Sequence, residues 1–167
     1  MGHPRRRRRL RWTPVGRERG KGPSGVFIGE YRHTVDEKGR IAVPVRFRAQ
    51  LSEGAVVARW LDGCGAIHPP EEWDKLMARL DSLPISDRNA RQTDRALSSR
   101  AFPLDMDKQG RFVVPQMVRE WAGLTDEVVI VGARDHVELW EPSRWAEYIA
   151  ATESPDALGD LLQGLGI

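Results

Sequence analysis

The chain has 167 residues, 40% of them hydrophobic, with 26 Lys and Arg against 24 Asp and Glu and a single cysteine, Cys64. That suits one domain, or two small ones sharing a core, and excludes global disorder. It also excludes a disulfide framework or zinc ribbon, favours a reducing compartment, and leaves no apolar run long enough to cross a membrane.

The +2 net charge averages two unlike parts. Residues 1–25 hold nine basic residues against Glu18 alone, a basic leader of +8 without apolar periodicity. The remaining 17 basic and 23 acidic residues leave the body at −6. Two readings of the leader stand: a disordered arm that grips phosphates, or upstream sequence ahead of a start at Val26. No apolar stretch follows the arginines, so it does not read as a secretory signal.

Beyond the leader the chain is written twice. His33 to Pro44 and Leu104 to Pro115 align at an offset of 71, with Asp36/Asp107, Gly39/Gly110, Arg40/Arg111, Val43/Val114, Pro44/Pro115 and Arg48/Arg119 identical; Pro70/Pro142 and Trp73/Trp145 follow at 72. Strands are expected at Tyr31–Val35 and Phe102–Met106. A tight D-x-x-G-R turn comes next, in which Asp bonds nearby backbone N–H groups and Gly supplies a positive φ. Return strands at Ile41–Val43 and Phe112–Val114 lead to Pro44 and Pro115, which fit the first turn of short helices. Ala55–Trp60 with Gly65–His68, and Glu127–Val131 with His136–Trp140, read as hairpins through Asp62-Gly63 and Ala133-Arg134-Asp135. Helices follow in which Trp73, Leu76, Met77 and Leu80, and Trp145, Tyr148, Ile149 and Thr152, share a face. An extra polar helix near Asp87–Ser99 bridges the copies, and the Gly-interrupted tail from Glu153 is expected to fray.

One copy of short strands has too little core and too many open edges to stand alone. The expected architecture is therefore α+β: a pseudo-twofold, barrel-like domain from two repeats with flanking helices. Residues 26–100 form the first repeat with its linking helix, 101–152 the second, and 153–167 the tail.

The doubled D-x-x-G-R-x-x-V-P units, the P-x-x-W helices and the opening Val26-Phe27-Ile28-Gly29-Glu30-Tyr31 resemble the MraZ family over about residues 26–152. The resemblance implies a swapped-hairpin fold of the AbrB type. It also implies a bacterial transcriptional regulator, cytoplasmic and nucleoid-associated, that assembles as a homo-oligomeric ring and binds double-stranded DNA at tandem promoter repeats of the division and cell-wall gene cluster. Family chains usually begin at the equivalent of Val26.

In that family the turn contacts DNA, which carries onto Lys38 and Arg40 in the first copy and Lys108, Gln109 and Arg111 in the second. Asp36, Gly39, Asp107 and Gly110 then orient the turns. An arginine beside a tight turn offers a fork to guanine O6/N7 or to a phosphate, and glycine lets the backbone approach closely. The alternative is that each Asp–Arg pair is a salt bridge pinning the halves together. Gln109 stands where the first copy has Lys38, which leaves equal contact by both copies open.

His33, His68 and Cys64 lack partners at metal-ligand spacing, so no metal site, cofactor or small-molecule substrate is expected. No P-loop, G-x-S-x-G or H-E-x-x-H motif and no acid–base or nucleophile pair points to an enzyme. Trp73 and Trp145 read as core residues rather than base-stacking platforms. Arg88, Arg91, Arg95 and Arg100 read as a solvated face rather than a second DNA stripe. The other function class is an antitoxin-like protein–protein module working through the −6 surface and the apolar C-terminal run of Leu158, Leu161, Leu162 and Leu165.

Overall fold

The computed structural model describes residues 26–51 and 53–167; both readings of the leader fall outside the described residues. The strands are β1 (Glu30–Thr34), β2 (Arg40–Ala42), β3 (Val56–Arg59), β4 (Gly65–His68), β5 (Ala101–Pro103), β6 (Arg111–Val113), β7 (Glu127–Gly132) and β8 (Val137–Trp140). The helices are α1 (Val45–Arg48), α2 (Pro70–Asp81), α3 (Arg88–Ser98), α4 (Gln116–Ala122), α5 (Pro142–Ala150) and α6 (Pro155–Gly164).

Six strands form one antiparallel sheet in the order β1-β7-β8-β4-β3-β5, while β2 and β6 pair in a separate ribbon. The seam between the repeats is β4 against β8, with Ala66 opposite Glu138 and Ile67 opposite Val137. Each repeat's first strand crosses that seam: β1 lies on β7 with Tyr31 opposite Ile130, and β5 lies on β3 with Phe102 opposite Val57. The sheet does not close into the expected barrel; β1 and β5 remain its edges. The strands that would have to bridge those edges, β2 and β6, are three residues long and ladder only with each other. The first edge instead reaches the ribbon through a side chain, His33 Nδ1 donating to the Ala42 carbonyl at 2.6 Å.

The core lies between sheet and ribbon. Ile41 and Phe112 point inward from the ribbon onto Val57, Ile67, Val128, Ile130 and Leu139, all buried. Phe47 of α1 packs edge-on against Phe27 and Tyr31, at 5.1 and 5.4 Å between ring centres. Burying one such side chain stabilises the fold by about 1.5–3 kcal/mol, so this shared core is what makes the two repeats one unit.

Local differences from expectation have simple causes. Pro44 and Pro115 sit one residue before their helices with extended ψ, 134° and 138°, so they are caps rather than first-turn residues. Trp145 is buried, but no residue of α2 is, so Trp73 is only half covered. The bridging helix α3 forms as expected, its N-terminus capped by Asp87 through the Asn89 and Ala90 amides. In the stretch expected to fray, residues 155–164 form α6: Ser154 caps the Ala157 amide and Pro155 opens the helix, a start signal that offsets its glycines.

Among the described residues, one buried side chain of the core is polar. His68 is buried, its Nε2 has no partner among the described residues, and its ring stacks on that of His136 at 5.2 Å. Burial, reinforced by the neighbouring His136, pushes the His68 pKa down to about 4. His136 is opposed by burial too, yet hydrogen bonds to Glu138 and Asp135 raise it. A histidine depressed in the fold stabilises it above the unfolded value near 6.5 and withdraws that stability as pH falls. Acidification from pH 6.5 to 4 should therefore cost about 3 kcal/mol through His68. In thermal melts across that range His68→Phe should flatten the decline; an unchanged slope would clear His68 as its cause.

Candidate nucleic-acid interface

The two D-x-x-G-R turns fold alike. In the first, Asp36 Oδ1 accepts the backbone N–H groups of Lys38 and Arg40 at 2.9 and 2.8 Å, and Oδ2 accepts Arg40 Nε at 2.7 Å. The Gly39 N–H closes onto the Asp36 carbonyl at 2.9 Å. In the second, Asp107 Oδ1 accepts the Gln109 and Arg111 amides at 2.8 and 3.0 Å, and Oδ2 accepts Arg111 Nε at 3.0 Å. The Arg40 backbone N–H, then its side chain and the Lys38 amide, hold the Asp36 carboxyl below its usual range. The Arg111 and Gln109 amides and the Arg111 side chain do the same for Asp107. Each aspartate thus fixes the backbone and aims its arginine at once, so the salt-bridge and DNA-facing readings of the pair are compatible.

Pairing within the ribbon sets the direction of those arginines. Arg40 stands opposite Val113 and Ala42 opposite Arg111, with Ile41 and Phe112 between them facing the core. Because paired residues share a face, Arg40 and Arg111 both lie on the outer face. Each spends Nε on its aspartate, and no hydrogen bond engages its terminal nitrogens among the described residues. Lys38, Lys108 and Gln109 are exposed at the turn tips, and Val113 is exposed between the two arginines. With three residues per strand, the turns lie roughly 10 Å apart at opposite ends of the ribbon.

Sequence reasoning assigned no role to Arg48 and Arg119, although their identity at the repeat offset marked them. Arg48 Nε donates to the Val43 carbonyl at 2.8 Å and Arg119 Nε to the Val114 carbonyl at 3.1 Å. Each then lies across the glycine of the other repeat's turn, Arg48 over Gly110 and Arg119 over Gly39. Both glycines have positive φ, 73° and 75°, and a Cβ at either would overlap the arginine above it. The lock is completed by Val43 N–H to the Gly110 carbonyl and Val114 N–H to the Gly39 carbonyl, at 2.8 and 2.9 Å. The two turns and the arginines over them carry Lys38, Arg40, Arg48, Lys108, Arg111 and Arg119 against Asp36, Glu37 and Asp107, a local +3 in a body of −6. The arrangement can take polyanions or base edges; among the described residues no group of His, Cys, Asp and Glu could hold a metal ion.

Comparison with known proteins covers both repeats. The family model described as "MraZ protein, putative antitoxin-like" matches residues 26–96 and 97–158. A Roseiflexus castenholzii protein named transcriptional regulator MraZ is 44% identical over 133 residues, covering 80% of this chain and 93% of that protein. A Halothermothrix orenii protein of the same name is 43% identical over 143 residues, covering 85% and 100%. One from Clostridium acetobutylicum is 37% identical over 142 residues, covering 85% and 100%.

Proposed function

Since the chain belongs to the MraZ family, we propose that it is a DNA-binding transcriptional regulator that recognises tandem promoter repeats of a bacterial division and cell-wall gene cluster, as a ring-shaped repressor. The observation that carries this reading is the pair of arginines, Arg40 and Arg111, aimed outward from one rigid ribbon with their terminal nitrogens uncommitted. The strands exchanged between repeats support a swapped-hairpin fold, in which neither repeat can present its turn without the other.

Arg40 and Arg111 read base edges or grip phosphates; Lys38, Lys108 and Gln109 add contacts at the turn tips; Asp36, Gly39, Asp107 and Gly110 hold the backbone. An acidic body is repelled by DNA except where its cations are focused, so one subunit binds weakly. A ring repeats the ribbon around its rim, and every contact after the first is intramolecular.

Gel-shift titration on DNA carrying one, two or four repeats tests the proposal. Affinity should rise at least about tenfold on adding a second repeat, within the gain that linkage allows. It should fall steeply with salt, as counterion release requires. Equal binding to one repeat, four repeats and unrelated DNA would defeat it. The antitoxin-like alternative draws on exposed Leu158, Leu161 and Leu162 of α6 and Leu165 just past its end.

A further inference from the structure

The two ends of the ribbon have unlike flanks. An open cleft of about 300 Å³ lies where the edge strand β1 faces the corner between β2 and α1. Tyr31, Pro44 and Val45 form its walls, and His33, Arg46 and Arg48 supply its nitrogen-bearing side chains. Among the described residues no carboxylate lines it. The corner sits beside the second turn, because the Val43 N–H bonds the Gly110 carbonyl and Arg48 lies over Gly110. Arg48 spends its Nε on the Val43 carbonyl, whereas no hydrogen bond or ion pair engages exposed Arg46 among the described residues. An uncommitted guanidinium beside apolar walls focuses positive potential, since the walls hold back the water that would damp it. On the other side of His33 a second cleft holds Arg32 together with Glu127, so its charge cancels.

The flank of the first turn is built differently. At the repeat offset of 71, His33 corresponds to Leu104, Arg46 to Met117 and Ala49 to Glu120. Leu104 is buried, and Glu120 accepts the Gln116 side-chain amide at 2.7 Å. Met117 Sδ takes the Nη1 of half-buried Arg100 at 3.6 Å, so the cation at this end is already held.

We infer that Arg46 grips a DNA phosphate beside the second turn, and that this one-ended anchor sets which way round the ribbon lies on each repeat. The inference rests on the DNA-binding reading above and adds a contact and a direction to it. Two alike turns at the ends of a pseudo-twofold ribbon would otherwise accept a site in either direction. A phosphate contact at one end makes the directions unequal by position rather than by base. It also returns, from α1 of the first repeat, the cation that the second turn lacks at Gln109.

Gel-shift titration of the full chain over a range of salt provides the test, on promoter DNA with two repeats and on unrelated DNA of equal length. Arg46 is exposed and unbonded, so Arg46→Ala and, independently, Arg46→Gln should fold, as circular dichroism checks. Each should weaken binding to both DNAs by the same factor and lower the salt slope by about one per repeat occupied. Arg46→Lys should restore most of that slope, because a phosphate accepts either cation. Arg88→Ala, which removes the same charge from α3, should leave the slope unchanged. Ethylation interference should lose one phosphate per repeat, off-centre and on one strand, between wild type and Arg46→Ala. A wild-type slope in the Arg46 variants, or an equal loss in Arg88→Ala, would overturn the inference and leave the regulator reading standing. So would two symmetric phosphates lost per repeat, which would remove the direction. A wild type that binds repeats no better than unrelated DNA would defeat the regulator reading instead, while the slope still reports on Arg46. A wild type that binds neither DNA would overturn both.

Discussion

Arg40→Ala should lower affinity for DNA carrying several repeats at least about 100-fold while leaving the oligomer and its melting temperature nearly unchanged. A bidentate arginine–guanine pair supplies about 1–3 kcal/mol of discrimination, and linked subunits lose it at every repeat they occupy. Stability is spared because the Asp36–Arg40 pair stays partly open to water, and ion pairs of that kind contribute little. The Arg40 backbone amide, which also holds Asp36, is retained. Arg111→Ala is the internal comparison. If both turns face DNA alike, the two substitutions act equally; the exchange of Lys38 for Gln109 predicts that Lys38→Ala flattens the salt dependence and Gln109→Ala does not. Gel-shift and salt titrations separate the cases, and an Arg40→Ala chain that binds repeat DNA like the wild type would remove the turn from the interface.

Gly110→Ala should destabilise the fold by about 2–3 kcal/mol. Left-handed backbone costs an L-residue about 1–2 kcal/mol, and at φ 75° alanine meets that cost directly. The new methyl would also overlap Nε and Cδ of Arg48, mid-chain atoms that cannot swing aside while Nε holds the Val43 carbonyl. Losing that bond adds about 1 kcal/mol. Gly39→Ala should cost less, because its methyl stands farther from Arg119, 2.8 Å from Cζ and Nη1 and 3.1 Å from Nε, so a smaller shift clears it. Urea unfolding of the two variants checks the order; equal losses would mean that the arginines simply move away.

The division between what was legible in the sequence and what was not follows the range of the interactions. Both turns were readable because Asp, Gly and Arg act on one another within five residues, and α3 was readable from Asp87 and the polar run behind it. The partner of each turn was not. Arg48 over Gly110 joins residues 62 apart in sequence, and nothing local distinguishes it from Arg48 over Gly39. The exchange of β1 and β5 is hidden for the same reason: strand patterning fixes which face is buried, not which neighbour is chosen. Amphipathic α2 shows the converse: its residues share an apolar face by spacing, yet none of them is buried, so periodicity alone does not say that a face is covered. In the tail the helix start Ser154-Pro155-Asp156 is local and legible, whereas Gly159 and Gly164 point the other way within the same ten residues.

The turns can be placed on DNA directly by cleavage from a tethered iron chelate. Cys64 is buried and its thiol is pushed up, by burial first and then by the nearby Glu138 and Asp62 carboxylates, so it does not compete for the label. Chelate attached at Lys38→Cys or Gln109→Cys should cut the DNA upstream of the protein's own gene once per repeat, while chelate at Ser98→Cys on α3 should not. Cutting from α3 with none from either turn would contradict the account.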